Sequence, residues 1–485
     1  MAERARVRRV AVLGGGISGL AAGFCLKELA AAHEMALEVV LFEANSRLGG
    51  ALHTVRREGF TIEAGADSFL SEKPAALNLV ERLGMTHELI QTQERFRKTY
   101  VVRKGRLVEI PAGFSLLAPA LLRPVFTSPL FSLAGKLRIA LEPLIPRRRE
   151  DSDESLGAFV RRRLGDEALR RLAQPLAGGI YTADPEQLSV RATMPRFVEM
   201  ERRHGSLIKG LRAAARSRQA GGEIRGMSGA RWSLFLSFRT GMGALVERLA
   251  ARLDDAIHIA RISALEATDD GAGTPGWTVR LDHGAAYAAD AIVCALPAHA
   301  AAPLLKPAYP ALGAALSQIG YASAATVNLA WNLADFPRPP ASFGFVVPII
   351  EGRRIIAGSF SSLKFAQRAP EGIVLARVFI GGALQAGLMW LDDDAMMAAA
   401  GEEFAALTGV RGVPLLTYVK RWPHAMPQYA VGHPCRAATL EAEAAELPYF
   451  GLAGAYIRGV GIPDCIASGE RAAQAVFTQL TGASC

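Results

Sequence analysis

Three glycines, Gly14, Gly16 and Gly19, and an acid at Glu43 have the types and spacing in this chain that point most directly to a chemistry. In a G-x-G-x-x-G turn the first glycine permits the bend, the second lets backbone amides approach a pyrophosphate, and the third lets helix pack closely on strand. A helix opening there aims unpaired N–H groups and partial positive charge at phosphate. Glu43, 24 residues beyond Gly19, is placed to accept hydrogen bonds from adenosine ribose hydroxyls. The pattern reads as a dinucleotide site built on Gly14, Gly15, Gly16, Ile17, Ser18, Gly19 and Glu43, and NAD and FAD both satisfy it at this step.

The elements that must position these residues are legible around them. Arg8 to Leu13 reads as a buried strand, Ile17 to His33 as an alanine-rich helix and Leu37 to Phe42 as a second buried strand. That β-α-β unit builds a parallel sheet with a right-handed crossover. Arg47-Leu48-Gly49-Gly50 follows closely and argues for FAD, because an arginine beside two glycines brings charge and amides to the diphosphate of a longer cofactor. The alternative is a plain turn with a solvated arginine.

Residues 90 to 230 are rich in Arg, Leu and Pro with helical periodicity and predict a mostly helical insertion. From Leu245 the pattern returns to short strands, with a hairpin-like run from 274 and a strand at Ala291 to Leu296 that is expected, following the hairpin, to extend the first sheet. Ala325 to Phe379 carries strand-like runs separated by Gly and Pro, which predicts an antiparallel sheet. Tyr449 to Leu480 predicts a strand, a glycine-rich turn and a closing helix.

Composition excludes several classes. With 485 residues, half of them apolar, and a net charge of +9, the chain has ample interior for a large cofactor and no nucleic-acid signature. Five scattered cysteines and nine histidines without ligand spacing disfavour a disulfide framework and a metal centre, and suit a reducing cytoplasm. No signal peptide or spanning helix is expected. The apolar stretch Phe114 to Ile145, broken by Arg and Pro, suits lying on a membrane. Arg147–Arg149 and Arg161–Arg163 read either as attraction to anionic lipid or as a helical face balanced by nearby acids.

The combination GGGISGL…FEANSRLGG resembles the FAD-binding start of the amine oxidase and phytoene desaturase flavoprotein superfamily. The segments 63–84, 175–210, 421–433 and 459–473 narrow this, because they are similar to the flavin-dependent porphyrinogen oxidases, which comprise protoporphyrinogen oxidases and bacterial coproporphyrinogen III oxidases. The likeness implies an α/β (α+β) fold. A Rossmann-like FAD domain (1–90, 231–300, 431–485) would carry an antiparallel-sheet substrate domain (301–430) and a helical, membrane-associating insertion with part of the substrate domain (91–230). It also implies FAD contacts at Ala44, Arg47, Gly49, Gly50, Ala51, Gly65, Ala66, Asp67, Ser68, Ile262, Trp422, Val460, Gly461 and Ile462, beside the first motif.

The implied activity is oxidation of coproporphyrinogen III or protoporphyrinogen IX to the porphyrin, with molecular oxygen as acceptor and no catalytic side chain beyond the flavin. Amine oxidation or carotenoid desaturation is the competing reading, with Cys465 as the residue to examine for covalent flavin attachment. A broad apolar substrate edged with carboxylates calls for an arginine and an apolar wall. Arg97 is the candidate arginine, with Arg95 and Lys98 as competitors, and Ile180, Phe343, Phe345, Phe360 and Met426 are the candidate wall, with Tyr429 beside them. The resemblance further suggests a peripheral membrane location, a homodimer and hand-over of product to ferrochelatase.

Overall fold

The computed structural model describes residues 7–220, 233–269 and 275–482; the expected domain boundary at 230/231 lies outside them. A five-stranded parallel sheet runs in the order Ile257–Ile259, Leu37–Glu43, Arg8–Leu13, Ala291–Cys294, Phe450–Leu452. Its central strands are buried on both faces, which is why they read as uninterrupted apolar runs. The first helix (Ile17–Ala32) and the closing helix (Ile462–Thr481) lie together on one face. They touch closely because a Cβ at Gly469 would stand 2.0 Å from the Ser18 carbonyl oxygen, so only glycine fits that crossing.

One expectation about this region needs correction. Gly243–Leu253 is a helix packed against the first one, with strands before and after it at Phe235–Phe238 and Ile257–Ile259. Its apolar residues Leu245, Val246, Leu249 and Leu253 follow the helical period, and all are buried. The strand after the hairpin does extend the first sheet: Ala291–Cys294 pairs with Arg8–Leu13, while Ile262–Asp269, Pro275–Leu281 and Ala286–Ala289 form a separate antiparallel sheet.

A seven-stranded sheet forms the second layer, in the order Leu416–Pro427, Tyr321–Asn332, Ile373–Gly381, Ala357–Phe360, Gly344–Val346, Thr99–Arg103, Arg106–Glu109. It is antiparallel except where Gly344–Val346 meets Thr99–Arg103. Side chains alternate across it. Val374, Ala376, Val378 and Ile380 pack on the Asp393–Thr408 helix, whereas Arg377 and Phe379 face the parallel-sheet layer and the helices.

Helices between Arg123 and Ala220 form the third body, around a core of Leu156, Phe159, Leu169, Leu172 and Phe197. Its charge run Arg161–Arg163 is structural. Arg163 and Glu142 are both fully buried and paired, Arg162 binds Glu154 and Glu201, and Arg161 binds Glu186 and Asp166. Glu154 and Asp166, close by in the chain, and Glu142, Glu186 and Glu201, from other parts of the helical body, together balance this run.

Candidate cofactor and substrate site

The two glycine motifs, separated by some thirty residues, meet. Gly49 N donates to the Gly15 carbonyl at 2.8 Å, Gly16 and Gly49 form an isolated parallel bridge, and a Cβ at Gly50 would lie 3.3 Å from the Gly16 Cα. Gly14, Gly49 and Gly50 all take positive φ, a conformation that favours glycine. Gly16 caps the first helix, with no side-chain cap and no acid in the first turn, so its leading N–H groups stay available to an anion. Gly19 lets helix and turn close, since a Cβ there would stand 1.9 Å from the Gly14 carbonyl oxygen.

Glu43 ends its strand beside this turn. One carboxylate oxygen accepts from Gly15 N at 2.8 Å and the other from the Asn45 amide and side chain, which fixes the carboxylate while leaving lone pairs for ribose hydroxyls. Ala44 follows it directly. Ile259 pairs with Glu43 and Ala260 N donates to the Glu43 carbonyl, so Ile262 lies at the same end of the site.

Arg47 does not extend freely towards a diphosphate. Its guanidinium donates to the carbonyls of Leu48, Gly50 and Leu52 and so folds its own glycine turn into shape.

The strip continues through Ala51. Ala66 N donates to the Ala51 carbonyl, and a Cβ at Gly65 would stand 1.8 Å from the same oxygen. Trp422 closes this end, with its indole N–H donating to the Ala64 carbonyl at 2.9 Å and Thr326 donating to that carbonyl at 2.6 Å. His53 stands edge-on to Trp422, and burial, helped by Arg47 and Lys420, pushes its pKa down to about 4, so it is neutral at pH 7.

Asp67 is a junction rather than an open contact. It is buried and held by Lys364 at 3.0 Å, Arg377 at 3.1 Å and Ser68 at 2.8 Å. Burial alone would raise its pKa, but the two cations outweigh it and hold the carboxyl well below the usual carboxylate range. Arg377 also donates to the carbonyls of Glu63 and Gly65, so the seven-stranded sheet grips the 63–68 loop. Sequence spacing could not reveal Lys364 or Arg377, because their partners lie some three hundred residues away.

Next to them Glu63, with Arg368 at 3.8 Å, has its pKa pushed up to about 7 by burial, against the opposing pull of Arg368, Thr54 and the Met242 amide. The folded state therefore binds this proton more tightly than the unfolded chain does. Stability should fall as pH rises from about 4.5 to about 7, and Glu63→Gln should flatten that part of a Tm–pH profile. An unchanged slope in the variant would refute the assignment.

The closing helix brings the last motif. Gly461 caps it without a side-chain cap, Val460 packs towards the helical body, and Ile462 is buried against the first helix's core. Cys465 is buried behind this turn, and burial pushes its thiol up to about 12, which does not suit covalent attachment of a cofactor. The glycine turns, Glu43, the 51–68 strip, Trp422 and the second helix start are the residues of the candidate cofactor lane.

Beyond the lane, the candidate wall is partly corrected. Phe345 and Phe360 are each 2% exposed and pack on Phe404, on the far side of the seven-stranded sheet. Strand alternation puts Val346, Ala357 and Phe379 on the near side instead, where they join the core shared with the helices. Ile180 is 41% exposed on the Gln174–Tyr181 helix, whose Gly179 approaches Val346.

Phe343 is half-buried and accepts at its carbonyl from Phe360 N, while its own N–H donates to Lys98. Met426 is half-buried opposite Ala322. Arg97 is exposed just before the Thr99–Arg103 strand, and its guanidinium has no partner among the described residues, whereas Lys98 pairs with Glu109 and Arg95 stacks on Phe96. Tyr429 is core, stacked on His433.

Comparison with known proteins adds the chemistry. A family model described as flavin containing amine oxidoreductase matches residues 17–477. The chain is 36% identical to a coproporphyrinogen III oxidase of Propionibacterium freudenreichii subsp. freudenreichii, covering 96% of this chain and 90% of that protein. It is 29% identical to protoporphyrinogen oxidase 1, chloroplastic, of Arabidopsis thaliana, covering 94% and 85%. A crystal structure of an Exiguobacterium sp. 255-15 protein superposes with a TM-score of 0.84 at 29% identity, covering 97% and 99%.

Proposed function

Because the chain belongs to the flavin containing amine oxidoreductase family, we propose that it oxidises a porphyrinogen to the porphyrin in haem biosynthesis, with coproporphyrinogen III as substrate. The protein is an FAD-dependent oxidoreductase. The observation that carries the substrate is the whole-length likeness to a coproporphyrinogen III oxidase, higher at 36% than the 29% to a protoporphyrinogen oxidase.

Bound FAD supplies two-electron hydride acceptance. Three such removals take six electrons and six hydrogens from the macrocycle, and with oxygen as acceptor they balance to three molecules of hydrogen peroxide. The chain's own part is placement and exclusion of water. Gly14–Gly19, Glu43, Gly49–Ala51, Gly65, Ala66 and Ser68 would hold the cofactor, with Ile262, Trp422 and Val460–Ile462 beside it, while Arg47 and Asp67 shape the turns that carry these residues. Val346, Ala357 and Phe379 with Ile180 offer an apolar wall, and Arg97 receives a propionate carboxylate as a charge-assisted partner.

Anaerobic mixing of the FAD-loaded protein with each porphyrinogen, followed as flavin bleaching at roughly 450 nm, tests this reading. Coproporphyrinogen III should bleach the flavin at least about tenfold faster than protoporphyrinogen IX, and Arg97→Ala should raise its KM about five- to tenfold. Faster bleaching by protoporphyrinogen IX would reassign the substrate, and no bleaching by either would overturn the activity.

We also infer a membrane-facing surface on the helical body. No helix among the described residues is long and apolar enough to cross a membrane. Yet Leu133, Leu137, Leu141 and Leu144 recur every three or four residues and are 70%, 51%, 49% and 77% exposed, with exposed Arg147 and Arg149 close by in the chain. Such a stripe beside basic residues suits the surface of an anionic bilayer. Leu137→Glu with Leu144→Glu should weaken binding to anionic vesicles about tenfold or more, with flavin bleaching unchanged; equal vesicle binding by parent and variant would dismiss the surface.

A further inference from the structure

The Gly459–Ile462 turn has no side-chain cap of its own, and it must be held in place by something outside the closing helix. Two aromatic residues about thirty positions earlier do this. Tyr429 and His433 stack nearly parallel, with ring centroids 3.9 Å apart and an angle of 11°, and both are 2% exposed. The Tyr429 hydroxyl donates to the Ala455 carbonyl, and its own oxygen faces the Gly459 N–H. His433 Nε2 donates to the Ile457 carbonyl at 3.0 Å, which fixes its tautomer. Two rings thus hold two carbonyls of the short Ala455–Arg458 turn that leads straight into Gly459-Val460-Gly461.

The rings are themselves tied to the helical body. Ser189 N donates to the Tyr429 carbonyl at 2.7 Å, Leu188 and Ala430 form an isolated bridge, and Asp153 accepts from both Gly432 N and the Ser189 hydroxyl. Packing of the helices and placement of the last cofactor motif therefore share one set of contacts. Neither ring lies in the lane itself, so they act through the turn.

We infer that Tyr429 and His433 are positioning residues that hold the 455–461 turn in register with the flavin end of the cofactor lane. This rests on the FAD reading and not on the identity of the substrate. Its test therefore uses FAD alone, and failure of the porphyrinogen experiment would leave it standing.

Tyr429→Phe keeps the stack and removes the hydroxyl, leaving a buried carbonyl without its partner. Tyr456→Phe is the matched control, because the Tyr456 hydroxyl is buried in the same turn and has no hydrogen-bond partner among the described residues. FAD dissociation constants would be measured by release of flavin fluorescence, with visible-region circular dichroism of the bound flavin and the Tm of the flavin-free protein read alongside. Tyr429→Phe should weaken FAD about tenfold and alter the visible dichroism, while Tyr456→Phe leaves both unchanged and the flavin-free Tm values agree. His433→Phe, which retains a stack but loses the bond to Ile457, should weaken FAD about threefold and decides the matter if Tyr429→Phe does not fold. FAD affinity within twofold of the parent in the folded variants, or an equal loss in Tyr456→Phe, would overturn the inference.

Discussion

Gly16→Val is expected to give a stably folded protein that purifies without flavin, while Gly19→Val is expected to lose both flavin and stability. The difference lies in what each new side chain would meet. A Cβ at Gly16 finds no protein atom within 4 Å, and its φ of −71° is ordinary for any residue, so the fold tolerates it. That same space is where the helix N–H groups point, so branched methyls there displace a diphosphate.

At Gly19 the Cβ would stand 1.9 Å from the Gly14 carbonyl oxygen, and the helix must move off the strand. Overpacking of this kind costs about 1–3 kcal/mol. Flavin content per protein should fall below about a tenth of the parent in both variants, with a lowered flavin-free Tm only in Gly19→Val. Near-full flavin content in Gly16→Val would remove the glycine turn from the cofactor site.

Asp67→Ala should be the most damaging single change at the junction between the two sheets. It strands the ammonium of Lys364 and the guanidinium of Arg377, both nearly buried, without their shared counter-ion. Breaking a buried pair in this way costs about 3–5 kcal/mol, far more than loss of an exposed pair such as Arg280–Glu266 would. The 63–68 loop should loosen with it, since Arg377 also holds the Glu63 and Gly65 carbonyls.

Chemical denaturation at pH 7 should show the loss directly, and an Asp67→Ala variant as stable as the parent would show that the cations find other partners. The pH dependence has a definite sign. Because the folded pKa of Asp67 lies below its unfolded value, its stabilising contribution is present above about pH 4 and is lost as pH falls towards the folded value. This is opposite in direction to Glu63, so the two groups contribute opposite slopes to the stability profile.

The glycine turns and the acid of the candidate cofactor site were legible because their constraints are local. A tight turn, a close helix and an acid at a strand end each need a particular residue within a few positions of the next, so spacing alone carries Gly14, Gly16, Gly19 and Glu43. The parallel strands were legible for a similar reason, since burial on both faces leaves an unbroken apolar run. The strand after the hairpin was legible in the same way, since Ala291–Cys294 is a buried apolar run that enters the parallel layer by pairing with Arg8–Leu13.

The pocket wall was the least legible. Phe345 and Phe360 carry the same apolar signal as Val346 and Phe379, and only strand register decides which face of the seven-stranded sheet each takes. The ion network of Asp67, Lys364 and Arg377 and the ring pair of Tyr429 and His433 are likewise decided by tertiary structure. Each joins segments whose separation along the chain encodes nothing about their approach, and in each the desolvated interior turns a chance of contact into a requirement for a partner. The sequence by itself determined the local turns, the strands and the acid of the candidate FAD lane; the packing of three layers decided what holds those segments together and which face of the seven-stranded sheet each side chain takes.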